Sequence, residues 1–184
     1  GKWFGFENYD ILPDLFTTAK GLSGGLPQSA LVGRKDLMDI YAPNTMTSTH
    51  SGSPVASAGT AANIKFLKEH NMCEEALRKG KIMEERLKAL WKQFPERISY
   101  VSGIGMAWAV TFAEADTHAI HPEFALEVTK KCNENGLTFF AAVGAGITMK
   151  LTPPLTIPDD ALIEGLEAYA TAVAEADAIM PAYK

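Results

Sequence analysis

The sequence predicts an α/β segment over its first third and an α+β domain after it. Two short β-prone runs, residues 14–19 and 29–33, flank a glycine-rich loop that begins at Lys20. From residue 54 onward, long stretches carry apolar residues at helical spacing, and after residue 98 these alternate with short strands separated by glycine pairs. Helices interleaved with strands give the first pattern, and hairpin-like strand pairs beside helices give the second.

Residues 14–19 end in Leu-Phe-Thr-Thr-Ala and read as a short strand, with residues 29–33, Ser-Ala-Leu-Val-Gly, as its neighbour. Residues 34–38 follow as a turn or helical start. Residues 42–53 are almost wholly small or hydroxylated and carry no period, which marks a loop. Pro54 suits a first helical turn, and Val55, Ala58, Ala62, Phe66 and Leu67 share one face of a helix over 54–69 that stops at His70-Asn71. Leu77, Ile82, Met83, Leu87, Leu90 and Trp91 predict a second helix over 73–94, closed by Pro95 and weakened at Gly80. Strands are expected at 98–102 and 106–112 around Gly103-Ile104-Gly105, and at 137–143 and 147–151 around Gly144-Ala145-Gly146. Between these pairs lies a helix from Pro122 offering Phe124, Leu126, Val128 and Cys132 to a core and stopped by Asn135-Gly136. Pro158-Asp159-Asp160 opens a closing helix that reaches about Met180.

Composition narrows the function. With 184 residues, 47% of them hydrophobic and 21% charged, the chain has a globular composition sufficient for one sizeable core. A net charge of −5 without a dense basic cluster argues against nucleic acid as a partner. No apolar run approaches the roughly 18–20 residues of a membrane span, and residues 1–6 lack a secretion signal, so a cytoplasmic location is the default expectation. Gly5 stands where a myristoylation signal wants Ser or Thr. The chain opens without Met on an aromatic-rich segment that offers neither cap nor helix face, and reads like the middle of something. Cys73 and Cys132 are far apart, with no Cys-x-x-Cys pattern, and are expected to be buried free thiols. His118 and His121 lack a third ligand at sensible spacing, so no metal site is expected. The Gly103 and Gly144 pairs each begin like a dinucleotide fingerprint, but Trp108 and Met149 occupy the third glycine position, and hairpin or bulge glycines explain them better.

The reactive candidate is Lys20, in Ala19-Lys20-Gly21-Leu22-Ser23-Gly24-Gly25-Leu26-Pro27. A strand-end lysine before a loop is the ordinary description of such a residue. A second description is an amine projecting from a strand tip into a dry, backbone-lined hollow, where Gly21, Gly24 and Gly25 allow positive φ and close approach. An amine held out of bulk water is more easily deprotonated and attacks a carbonyl. Thr49 is either a phosphate-binding hydroxyl or a loop threonine capping the helix at Pro54.

Three ordered segments resemble the class III aminotransferases, which are pyridoxal-phosphate-dependent enzymes of fold type I. They are Pro13-Asp14 with the Lys20 segment just given, Thr49-His50-Ser51-Gly52-Ser53-Pro54-Val55-Ala56, and Met149-Lys150-Leu151-Thr152-Pro153-Pro154-Leu155-Thr156-Ile157. Gly1-Lys2-Trp3-Phe4-Gly5-Phe6-Glu7 also fits after a glycine turn of that family. The resemblance covers essentially the whole chain. It implies that residues 1–54 are the C-terminal remnant of the cofactor-binding large domain, 55–70 a connecting helix, and 71–184 the small α+β C-terminal domain. It further implies that Lys20 holds pyridoxal 5'-phosphate as a Schiff base and shuttles a proton at the substrate carbon. By the same resemblance, the Ser48 amide and the Thr49 hydroxyl bind the cofactor phosphate of the neighbouring subunit of a homodimer, and an amino donor and an oxo-acid acceptor are the substrates.

Two departures from the family pattern bear on the site. Lys150 stands where many α-carboxylate-recognising members carry arginine, and an ammonium cannot form the bidentate fork. It binds a substrate anion less rigidly, faces elsewhere, or is a solvated strand residue. His50 replaces the usual aromatic ring and is expected to pack beside the phosphate loop. The family places the acid facing the pyridine nitrogen, a stacking ring and a phosphate loop upstream of Gly1. Asp14 does not replace that acid, being six strand residues from Lys20, or about 20 Å. The chain is therefore expected to be the C-terminal half of an aminotransferase, inactive without its missing N-terminal half. The alternatives are a non-catalytic folding or dimerisation unit, or a decarboxylase or epimerase using the same cofactor.

Overall fold

A computed structural model describes every residue except 47, 115–118, 141–144 and 182–184. The chain divides into two compact units, Lys2–Cys73 and Glu74–Lys184, the latter also taking in Gly1.

In the first unit, β1 (Leu15–Thr18) pairs antiparallel with β2 (Ala30–Gly33), Phe16 opposite Val32 and Thr18 opposite Ala30. A 3₁₀ turn at Lys20–Ser23 lies in the connection between them. Phe4 and Phe6 from an earlier 3₁₀ turn pack on Phe16 with ring centroids 4.7 and 5.4 Å away. After a single helical turn, α1 (Lys35–Met38), the hydroxyl-rich loop leads into α2 (Pro54–Glu69), with proline at its first turn as expected. The face of α2 that packs is not the expected one. Ala56, Gly59, Thr60, Asn63 and Leu67 turn inward, whereas Val55 is 71% exposed and Phe66 is exposed. The reason is the partner: α2 lies on the Lys20 turn, whose backbone calls for small and amide side chains rather than bulky apolar ones.

In the second unit, β3 (Ile98–Ile104), β4 (Ala107–Phe112) and β5 (Thr148–Leu151) form an antiparallel sheet in that order. Alternation along β4 sends Trp108, Val110 and Phe112 inward, and the register sets Trp108 against Leu151 and Val110 against Met149. Gly103 sits opposite Trp108, and a side chain there would come within 2.4 Å of the indole. Gly105 turns the hairpin at φ 58°, and Trp108 Nε1 donates to its carbonyl at 2.8 Å. The Gly103 pair is thus a hairpin device, as expected.

Three helices complete this core: α3 (Met72–Gln93), α4 (Pro122–Glu134) and α5 (Asp159–Ile179). The buried stripe of α3 runs through Ala76, Lys79, Gly80, Met83, Leu87 and Leu90, one position away from the expected Leu77, which is exposed. On α4 the stripe is Phe124, Ala125, Val128, Thr129 and Cys132, and the expected Leu126 is 65% exposed. Gly136, at φ 80°, ends α4 as predicted, with the Leu137 amide donating to the Cys132 carbonyl at 2.8 Å. Buried Arg97 fastens the end of α5, donating to Asp177 Oδ1 at 2.6 Å and to the Met180 and Pro181 carbonyls at 2.9 Å, while its guanidinium lies 4.7 Å from the Phe124 ring centre. The strand expected at 137–143 is not seen at 137–140, and its remainder lies outside the described residues, as do Gly144 and His118.

Both cysteines are free thiols, but only Cys132 is buried; Cys73 is half-exposed, which corrects the expectation for that residue. Burial pushes the Cys132 thiol up to about 12. At pH 8 a maleimide or iodoacetamide is therefore expected to label Cys73 and spare Cys132 until the protein is denatured. Peptide mass mapping checks this, and native labelling of Cys132 would contradict it.

Candidate active site

Lys20 follows β1 by two residues. Ala19 is extended, and Lys20 then takes φ 53°, a left-handed conformation that a side-chain-bearing residue adopts only when its surroundings impose it. Gly24 and Gly25 also have positive φ, at 69° and 132°, but Gly21 does not, so the strain expected at Gly21 falls on the lysine itself. The turn is held by α2. Asn63 Nδ2 donates to the Gly21 carbonyl at 2.8 Å and to the Leu22 carbonyl at 3.1 Å, and a side chain at Gly59 would come within 2.9 Å of Leu26. Sequence reasoning missed Asn63. Its one signal is an amide on the face that α2 would otherwise give to apolar contacts. Among the described residues Lys20 is exposed and is not enclosed in the expected dry hollow.

Ser48, Thr49 and His50 lie in the turns before α2 and are exposed. The packing expected of His50 is not seen. The Ser48 amide donates to Ser51 Oγ at 3.2 Å, and the two hydroxyl oxygens are 2.9 Å apart. The N-cap of α2 is Ser53, without a side-chain cap bond, so Thr49 does not cap that helix. Among the described residues no hydrogen bond joins Lys20 to Ser48 or Thr49. Asp14 Oδ1 accepts from Arg34 at 2.8 Å, a commitment consistent with its exclusion as the acid opposite a pyridine nitrogen.

In the other unit, Lys150 is exposed on the outer side of β5, between buried Met149 and Leu151 and paired in register with Ala109. With Phe139, Thr152, Pro153, Pro154 and Ile157 it lines a largely apolar cavity of about 360 Å³. Nearby, Arg78 forks onto Asp159 with two 2.7 Å bonds and also donates to Glu75 at 2.8 Å. These hydrogen bonds hold the Asp159 and Glu75 carboxyls below their ordinary range. Groups depressed on folding stabilise the fold above their unfolded pKa, and that contribution disappears as pH falls through the depressed values. The protection factors of amides at the start of α5, relative to intrinsic exchange at each pH, are therefore expected to fall on acidification below about pH 4, and Arg78→Ala should remove that pH dependence. Among the described residues no cluster of three or more His, Cys, Asp or Glu is arranged to hold a metal, and no helix is long and apolar enough to cross a membrane.

Lys20 stands at the junction of a strand and a glycine turn in one unit, and Lys150 lies on a helix-backed sheet in the other. Over 96% of its length the chain matches the crystal structure of a transaminase from the marine bacterium Virgibacillus, with a TM-score of 0.87 and 25% identity, covering 42% of that chain. The model of the family described as aminotransferase class-III matches residues 1–173, and the chain belongs to the class III aminotransferases. It is 34% identical over 96% of its length to a leucine/methionine racemase of Thermococcus litoralis, covering 40% of that protein. It is 32% identical over 91% of its length to a 4-aminobutyrate aminotransferase of Mycobacterium leprae, covering 37%. The chain thus spans about 40% of the length of these relatives.

Proposed function

We propose that the whole protein transfers an amino group from an amino donor to an oxo acid, using pyridoxal 5'-phosphate attached at Lys20. The observation that carries this reading is the left-handed φ of Lys20 in a turn braced by Asn63. Strain of about 1–3 kcal/mol is retained where it serves a site, and an amine fixed at a strand tip fits the cofactor's aldehyde. Bound there, the cofactor supplies the electron sink. Lys20 supplies the attachment point and, once released, the base that moves a proton from and to the substrate carbon. Residues 1–54 belong to the cofactor-binding domain, 55–70 connect, and 71–184 form the small domain. The Thr49 hydroxyl, free of any capping duty, and the Ser48 amide serve the phosphate of the neighbouring subunit in a homodimer, with Ser51 giving up the Ser48 amide. Lys150 meets the substrate anion.

The racemase among the relatives supports a second reading, in which the proton returns to the opposite face of the same carbon and no amino group moves. Incubating the full-length protein with cofactor, α-deuterated L-alanine and an oxo acid separates the two. Amino transfer gives a new amino acid and pyruvate. Racemisation gives D-alanine with loss of the label and no pyruvate. If neither product forms, and borohydride fixes no cofactor on Lys20, both readings fail.

A further inference from the structure

Lys79 is 5% exposed, within the apolar stripe of α3. Its amine donates to two main-chain carbonyls, Leu155 at 3.0 Å and Ile157 at 2.7 Å. Burying an ammonium is costly, and a methionine would fill the same space without that cost. Whatever retains the lysine lies in those two hydrogen bonds. The adjacent Arg78 grips the same segment two residues further on, through its fork to Asp159. One turn of α3 therefore holds Leu155, Ile157 and Asp159 together. The held segment is stiff, since prolines at 153, 154 and 158 fix φ through it. At its other end it continues directly into β5 and Lys150. Thr152, Pro153, Pro154 and Ile157 share with Lys150 the wall of the 360 Å³ cavity.

We infer that Arg78 and Lys79 are positioning residues for anion recognition: by clamping residues 155–159 to α3 they fix the cavity wall against which the Lys150 amine is presented. This inference rests on the reading of Lys150 as the substrate-anion contact. A lysine presents a point charge on a flexible stem, so the geometry an arginine fork would supply must come from the frame around it. The clamp touches no substrate and acts through that frame.

The test uses full-length holoenzyme with pyruvate as the anionic acceptor and propanal as an acceptor of similar size without the carboxylate. Lys79→Met is expected to raise KM for pyruvate about tenfold, with kcat little changed and KM for propanal unmoved. Arg78→Gln, at a half-exposed position that leaves the core intact, should act in the same direction by a smaller factor, and it decides the matter if Lys79→Met does not fold. Lys150→Ala should abolish the preference for pyruvate, and adding Lys79→Met to it should then change nothing. Equal losses on pyruvate and propanal, or an unchanged KM for pyruvate in both clamp variants, overturn the positioning role. If Lys150→Ala leaves the preference intact, the reading of Lys150 itself falls, and the clamp's proposed role falls with it.

Discussion

Lys20→Gly in the full-length protein is expected to lose amino transfer by about a thousandfold or more while being more stable than Lys20→Ala by about 1 kcal/mol. The two halves of this expectation come from different parts of one residue. Under the proposed function, activity resides in the amine as attachment point and proton carrier, and neither glycine nor alanine supplies one. Arginine should not rescue it, because a guanidinium does not lose its proton near neutral pH. The stability difference resides in the backbone. At φ 53° a Cβ crowds the following carbonyl, alanine keeps that strain, and glycine relieves it. Turnover assays and thermal melts of the Gly, Ala and Arg variants check both. A tenth or more of the activity surviving in Lys20→Ala would refute the catalytic role. Equal melting temperatures for Gly and Ala would refute the left-handed conformation.

The elements were legible because their signals are local. Pro54 and Pro122 opened helices where expected, Asn135-Gly136 closed one, and the strand expected at 106–112 is present as Ala107–Phe112. Most expected core positions of α3 and α4 are buried, Met83, Leu87, Leu90, Phe124, Val128 and Cys132 among them; what escaped was the edge of each stripe and the packed face of α2. On α4, Leu126 is as apolar as Val128 yet faces outward, since the helix rotates to place Phe124 against Phe112, ring centres 5.2 Å apart. On α2, burial goes to Ala56, Gly59 and Asn63 because the neighbour is a turn of exposed backbone, which hydropathy cannot announce. The family was legible from the ordered segments around Lys20, Thr49 and Lys150. The positive φ of Lys20 was not, since glycine at 21 is the residue that would ordinarily take it. Lys79 carried a readable signal, a basic residue three positions after Ala76 and four before Met83, which helical periodicity treats as noise.

Gly80→Ala is expected to destabilise the protein by about 2 kcal/mol, against the roughly 1 kcal/mol gain that helix propensity assigns to the same change. Gly80 lies in the middle of a 22-residue helix, where alanine is the better residue by every local measure. The opposing effect is a close approach of two backbones. A Cβ on Gly80 would stand 2.5 Å from the Gly105 carbonyl oxygen and 2.6 Å from its Cα. These are main-chain atoms of the β3–β4 turn, and that turn is already fixed by the Gly105 conformation and by the Trp108 indole bonded to the same carbonyl. A flexible side chain would swing aside; this turn can move only by lifting the hairpin off α3, uncovering Trp108 and Met106. The helix therefore accepts a poor helix former so that the sheet can seat against it. Chemical denaturation of Gly80→Ala and of Gly80→Ser measures the balance. A more stable Gly80→Ala would mean that α3 and the hairpin are not in contact there, whereas a loss that grows from alanine to serine is the signature of the clash.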